Sequence, residues 1–366
     1  MAYSDNFVDD LLPLIDDLVS VEGADYSKLI FEKVFLASDV AKDHTVVTGV
    51  RNGSLIPIIN GQPSYTAFPF TDPTVCTTTS CDIAPEYSGK KWDLGLIGCR
   101  VPICLRTFND NFLKFWNSYK MLNPVKAENG TYMRTALLQY ITDLLTNSFE
   151  IAKWRVLYFG DTGEVSNLLN GFDGWFTQAR AVTDLVVPIA KNAGANFAAQ
   201  QMTGLEIYDT LVEMEQLYDA QEWAGNEAME FRMGKKLART LASYLNGLKD
   251  SSCCDGIERL EPDNVGSKTF FYDKLTFHGI PIRPYDEWDK IINNVPALNG
   301  GGGTNPREDP NRIMLVNKSN LLIGTEEKED LKLFDIFYDK KDRQIYIDLE
   351  AYLGAGLPRR EFILAI

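Results

Sequence analysis

Between residues 131 and 159 the apolar positions recur every three or four residues. Leu138, Ile141, Leu145, Phe149, Ala152, Val156 and Phe159 fall on one helix face. Apart from Gly130 just before it, nothing in the run breaks a helix, and Gly160-Asp161-Thr162-Gly163 supplies the stop. The spacing predicts one helix of roughly 40 Å, about twice the usual globular length. A second apolar set, Leu137, Leu144, Ile151 and Trp154, lies beside the first, so the helix is expected to be covered on two sides.

Elsewhere the period changes. From Thr45, TVVTGVRNGSLIPIING reads as strand, turn at Asn52-Gly53, and strand. The tract 62–91 is rich in Thr, Pro, Ser and Gly and exceeds an ordinary connection. It is followed by a strand in LGLIGCRVPICLRTF and a short helix over 108–119. The natural picture is a two-stranded arm projecting from the body and ordered mainly by a neighbouring chain, because its polar composition buries too little to order itself. Upstream, residues 1–45 form an acidic amphipathic segment, with a break at Val21-Glu22-Gly23 and a helix over 26–36. Pro13 makes that segment marginal alone, so it is expected to lie against another subunit.

Downstream, helices are expected over 204–223 (Ile207, Leu211, Met214, Tyr218) and 227–248 (Phe231, Leu237, Leu241, Leu245). Short strands follow over 274–282, then a flexible glycine loop over 299–305. The end reads as β: 312–323, LKLFDIFYD, a turn over 340–343, QIYIDLEAYL, a bulge at Gly354-Ala355-Gly356, and EFILAI. Helices and strands come in blocks rather than in βαβ alternation, which makes the class α+β.

Charge narrows the function. The 366 residues carry 51 acidic against 36 basic side chains, a formal net charge of -15 without a basic run. Tight wrapping by nucleic acid is therefore not expected, and the surface repels polyanions. The acidic start does not read as an export signal, and no apolar run reaches the ~20 residues of a membrane span. Synthesis in a cytoplasm is the default.

The candidate chemistry is sparse. Cys76, Cys81, Cys99 and Cys104 have C-x4-C…C-x4-C spacing, which invites a zinc reading. If the arm is a hairpin turning near Lys90, Cys76 faces Cys104 and Cys81 faces Cys99. Residues five apart on a strand take opposite faces, so the four do not converge on one metal. Free thiols rank first, cross-strand pairs second, the four-cysteine metal site last. Cys253 and Cys254 complete the six. With only His44 and His278 present, most triads and histidine metal sites are excluded. His278 reads as a packing or turn residue. Carboxylate pairs such as Asp9/Asp10 and Asp286/Glu287 are not singled out for hydrolysis. Gly300–Gly303 lacks the lysine of a phosphate loop. No catalytic residue and no cofactor are expected.

The order of arm, loop, long helix with its Gly-Asp-Thr-Gly turn, helices and closing strands resembles the Hong Kong 97-type major capsid protein of tailed bacteriophages. His278-Gly279-Ile280-Pro281-Ile282 resembles the family's short Gly-x-Pro-x strand, and RIMLVNKSNLLIGTE with the closing strands resembles its C-terminal third. The resemblance implies an N-terminal arm (1–45), strands and extended loop (46–105, tip 62–91) and a peripheral domain (106–160) with its spine helix. An axial domain (161–330) and strands returning to the peripheral domain (331–366) complete it. It implies a coat subunit that assembles as pentamers and hexamers around double-stranded DNA, in the virion, after synthesis in the host cytoplasm. A separate scaffolding protein and a portal are implied, without a membrane, and Lys90 and Lys91 are not assigned a cross-linking role. The alternatives are a nanocompartment shell of the same fold and, from another class, a soluble carboxylate-dependent hydrolase.

Overall fold

The computed structural model describes residues 39–56, 90–122, 130–221, 223–224, 228–251, 275–326, 334–339, 341–342 and 344–366. Expectations for residues 1–38, the arm tip up to residue 89, Cys253 and Cys254 lie outside them. The first elements are α1 (Asp39–Asp43), β1 (Thr45–Val47), β2 (Gly95–Cys104) and α2 (Leu105–Leu122). The long helix is α3, Gly130–Phe159, whose 30 residues span about 45 Å. After it come α4 (Trp175–Arg180), β3 (Val186–Val187), α5 (Gly204–Asp219), β4 (Met229–Gly234) and α6 (Lys235–Ser251). Next are β5 (Thr276–Phe277), β6 (Ile280–Tyr285) and α7 (Asp286–Asn294). The chain closes with β7 (Ile313–Asn317), β8 (Leu322–Thr325), β9 (Phe334–Asp339), β10 (Gln344–Gly356) and β11 (Phe362–Ala365).

Local chemistry explains the boundaries. α3 stops at Gly160, where a Cβ would lie 2.3 Å from the Phe172 carbonyl oxygen and 2.5 Å from that of Val156. Only glycine lets the 171–174 turn fold back onto the helix end, where the Gly174 N–H donates to the Gly160 carbonyl at 2.9 Å. α5 starts at a capping box: the Thr203 hydroxyl accepts from the Glu206 N–H, and the Glu206 carboxylate accepts from the Thr203 N–H. Between β5 and β6 the two turn residues, His278 and Gly279, have φ of 46° and 86°. Positive φ at both central positions is the signature of a tight hairpin turn.

Two mixed sheets result. In the five-stranded one the order is β1-β8-β10-β2, with β9 also paired to β10; the six-stranded one runs β3-β11-β7-β4-β6-β5. Along β10, Ile345, Ile347, Leu349 and Ala351 are buried in a core shared with Ile141, Leu145 and Phe149 of α3, while the alternate residues face outward. The six-stranded sheet is covered on both faces. Met314, Val316, Phe362 and Leu364 enter that same core; Ile313, Leu315, Ile363 and Ala365 enter a second one with Ile207, Leu211 and Leu241.

Several expectations are corrected. The stretch 227–248 is not one helix: Met229–Gly234 is a strand buried along its whole length, and the helix begins at Lys235. A strand covered on both faces has no alternation to separate it from a helical run. α3 is covered on two sides only in part, since Trp154 is buried but Ile151 is exposed. Gly354 and Gly356 do not make a bulge; β10 stays paired with β8 through Gly356. A Cβ on Gly354 would lie 2.5 Å from the Asp93 carbonyl oxygen, so the glycine permits a close crossing. The glycine loop is pinned rather than flexible: Asn299 Oδ1 accepts from Gly301 N–H and Asn305 Nδ2 donates to Gly300 O, each at 2.9 Å. The closing strands divide, with β9 and β10 in the five-stranded sheet and β11 between β3 and β7 in the other.

Candidate functional site

Among the described residues a buried polar assembly lies where the last turn of α3 meets the six-stranded sheet. Met229, Phe231 and Met233 of β4 point into the second core, so Glu230 and Arg232 point the other way, toward Tyr158. Arg232 is completely buried. Its Nη1 donates to Tyr158 Oη at 2.8 Å and to His44 Nε2 at 2.7 Å, its Nε donates to Glu230 Oε1 at 2.8 Å, and its Nη2 also bonds Glu230. Nε2 of His44 therefore accepts, and the ring proton sits on Nδ1, which donates to the Val40 carbonyl at 2.7 Å. The imidazole stacks on Trp175 at 4.6 Å. Burial, and after it the Arg232 cation, hold the His44 pKa well below its ordinary value. Burial pushes the Tyr158 hydroxyl up to about 12.

Glu230 continues the network outward, its Oε2 accepting from Arg283 Nε of β6 at 2.6 Å. One guanidinium thus ties the entering segment 39–44, the end of the long helix and the sheet centre together. Breaking such a buried pair leaves a charge uncompensated and costs about 3–5 kcal/mol. Chemically it works as a lock: His44 and Arg232 are buried and each is held by groups from other elements. His278 stands apart in its turn, Nδ1 bonded to Glu215 at 2.7 Å. Asp286 pairs with Lys290 at 2.7 Å in the exposed first turn of α7; Asp9 and Asp10 lie outside the described residues.

The arm base corrects the cysteine register. Leu55 is bridged to Lys91, and Ile56 N–H donates to the Lys90 carbonyl at 2.7 Å. Lys90 and Lys91 therefore sit where the loop closes, not at its turn. The partner that β2 does have is β10, with Cys99 opposite Leu349 and Cys104 opposite Gln344. The proposed opposition of Cys76 to Cys104 and of Cys81 to Cys99 loses the turn it rested on; Cys76 and Cys81 themselves lie outside the described residues. Cys104 is a free, exposed thiol. Among the described residues no group of three or more His, Cys, Asp or Glu side chains is arranged to hold a metal. A small satellite core of Val50, Ile56, Trp92 and Leu94 seals the loop base.

The outer face of the five-stranded sheet is open. Arg100 forms a forked pair with Asp348 at 2.8 and 2.6 Å and lies 5.9 and 5.8 Å from the Phe337 and Tyr346 rings. Leu96 and Tyr352, 49% and 41% exposed, extend this aromatic and apolar surface. The sequence flagged His44 only as one of two histidines; Arg232 and Glu230 went unseen because their segment read as helix. No helix among the described residues is long and apolar enough to cross a membrane.

By sequence, no family model and no curated protein matches the chain. By structure, it is similar to a chain of the satellite phage P4 procapsid that includes the size determination (Sid) protein, with 13% identity, a TM-score of 0.50, and 94% of this chain and 90% of that one covered. It also aligns with a chain of Gordonia phage Cozz (14% identity, TM-score 0.48, 90% and 85% covered) and with the SrpI encapsulin of Synechococcus elongatus PCC 7942 (11%, 0.42, 89% and 85%). At such identities likeness speaks to fold, and only the first is close enough to carry that argument. The chain has the Hong Kong 97-type capsid fold, an α+β architecture organised on its spine helix.

Proposed function

We propose that the chain is the major coat subunit of an icosahedral tailed-phage head, working by self-association and not by catalysis. The observation that carries this reading is the extent of the likeness to the P4 procapsid chain, 94% of this chain against 90% of that one. The whole chain, not an embedded module, follows the capsid architecture. Copies would group as pentamers and hexamers and enclose double-stranded DNA, with a separate scaffolding protein and a portal as partners. The open face of β2, β9 and β10 offers a docking surface, and the Arg232 network holds it in fixed relation to the second sheet. A net charge of -15 keeps the shell from clinging to the polyanion it encloses.

Electron microscopy of purified protein, alone and co-expressed with its phage scaffold, tests the reading. Closed shells are expected, at least with scaffold. A chain that stays monomeric under both conditions sinks it. Shells that always enclose protein cargo and never DNA would turn the assignment to a nanocompartment.

A further inference from the structure

A cleft of about 220 Å³ opens where the 197–202 segment, the start of α6, the end of α7 and residues 307–311 converge. Two cations face it. The Arg307 guanidinium stacks on the Phe197 ring, 3.3 Å from its centre, and Lys236 Nζ lies 4.8 Å from the same centre. Their side-chain hydrogen-bond partners are neutral amides, Asn293 for Arg307 and Gln201 for Lys236. Arg307 Nε is buried and has no partner among the described residues. The carboxylate in the wall, Asp289, is engaged elsewhere: its Oδ2 accepts the Lys236 backbone N–H at 2.8 Å. Burial draws both the Lys236 and Arg307 pKa values down, and at Lys236 the nearby Asp289 carboxylate offsets only part of the effect. Met202, Leu237 and Ile292 give the cleft an apolar side.

We propose that this cleft receives one carboxylate side chain from a second copy of the chain. Two cations against one carboxylate leave a net single positive charge, which matches a monoanion; a phosphate dianion would face Asp289. The amides and the Phe197 ring leave room for an acidic group carried on an aliphatic stem. With 51 acids against 36 bases among its 366 residues, a docking copy carries more carboxylates than cations, so a cationic cleft is complementary to its net charge. The choice of a second copy rests on the coat reading; the chemistry of the cleft does not.

Shells assembled from an equal mixture of nitrogen-14 and nitrogen-15 protein, treated with a water-soluble carbodiimide, provide the test. The reagent joins Lys236 Nζ to a contacting carboxylate as an amide, with the carboxyl oxygen leaving on the reagent as its urea. Mass spectrometry should find Lys236 peptides joined to acidic peptides of the other isotope, absent from unassembled protein and from Lys236→Arg shells. Lys236→Met and Arg307→Gln should raise the concentration needed for assembly about two- to fivefold, as expected for one lost ion pair, with unchanged thermal unfolding. Links confined to one isotope, no links at Lys236, or variants assembling at the wild-type concentration would overturn the proposal; if a variant fails to fold, the mixed-isotope links alone decide. A wild-type chain that never assembles removes the coat reading and the second copy together. The rate of reductive methylation of Lys236 then judges the cleft alone: slowing by acetate beyond matched chloride supports carboxylate recognition, and slowing by phosphate only refutes it.

Discussion

The two sheets solve burial differently. In the five-stranded sheet, β10 alternates between buried and half-exposed residues as far as Leu353, so one face rests on the spine helix and the other meets the surroundings. In the six-stranded sheet, β4, β7 and β11 are buried at every position. The same contrast governs their arginines. Arg232 sits at 0% exposure between four hydrogen-bonding groups, whereas Arg100 pairs with Asp348 in the open. A sheet closed on both faces can act as a fixed centre. A sheet open on one face has surface left over for a neighbour.

The sharpest way to break this contrast is Arg232→Met. It strips the guanidinium from His44 and Tyr158 and leaves Glu230 with the half-exposed Arg283 alone, so a loss of about 3 kcal/mol is expected by urea unfolding. A loss below about 1 kcal/mol would mean that the centre is not closed. Gly354→Ala comes next, because the new Cβ would press on the Asp93 carbonyl where the open sheet is crossed; overpacking of this kind costs about 1–3 kcal/mol. If its melting temperature equals that of the wild type, β10 is looser there than its close crossing implies.

The third test uses pH. His44 is neutral when folded and its pKa is depressed, while the unfolded residue titrates near 6.5. Above about pH 6.5 neither state binds the proton, and the residue contributes nothing to the pH dependence. Below it the unfolded chain binds a proton that the folded chain refuses, so stability falls as the pH drops. Between pH 7.5 and 5.5 the wild type should lose about 1.4 kcal/mol more than His44→Gln. Equal losses in the two proteins would show that the imidazole is not held against Arg232. The smallest effect belongs to the open face, where Arg100→Ala should leave the unfolding midpoint close to the wild-type value because an exposed pair is screened by water. A clear fall of that midpoint in chemical denaturation would mean that this face is built into the subunit's own stability.

The same contrast decides what could be read in the chain. The spine helix was legible because one face of it is apolar for about six turns, from Leu138 to Phe159, and its Gly160 stop is a local steric requirement. β10 was legible because half its residues face out. β4 was not: MEFRMG runs straight into the helix at Lys235 with the lone Gly234 to mark the change, and burial on both faces erased the period. The Arg232 network was illegible for a different reason. His44 and Arg232 lie 188 residues apart, and no local pattern announces their meeting. The cysteine register lost its premise because residues 55 and 56 pair with 91 and 90, which puts Lys90 at the base of the loop and not at a hairpin turn.

The interleaving of the strands also sets an order in time. Every ladder of the five-stranded sheet needs a strand at or beyond Leu322, since β1 waits for β8 while β2 and β9 wait for β10. The six-stranded sheet can begin earlier, with β4 beside β6. A chain emerging from the ribosome can thus begin its closed sheet first, but that sheet is completed only by β11, made after β10 has finished the open one. If the chain associates as proposed, a nascent copy would lack the outer face of the five-stranded sheet as a meeting surface until β10 has been made.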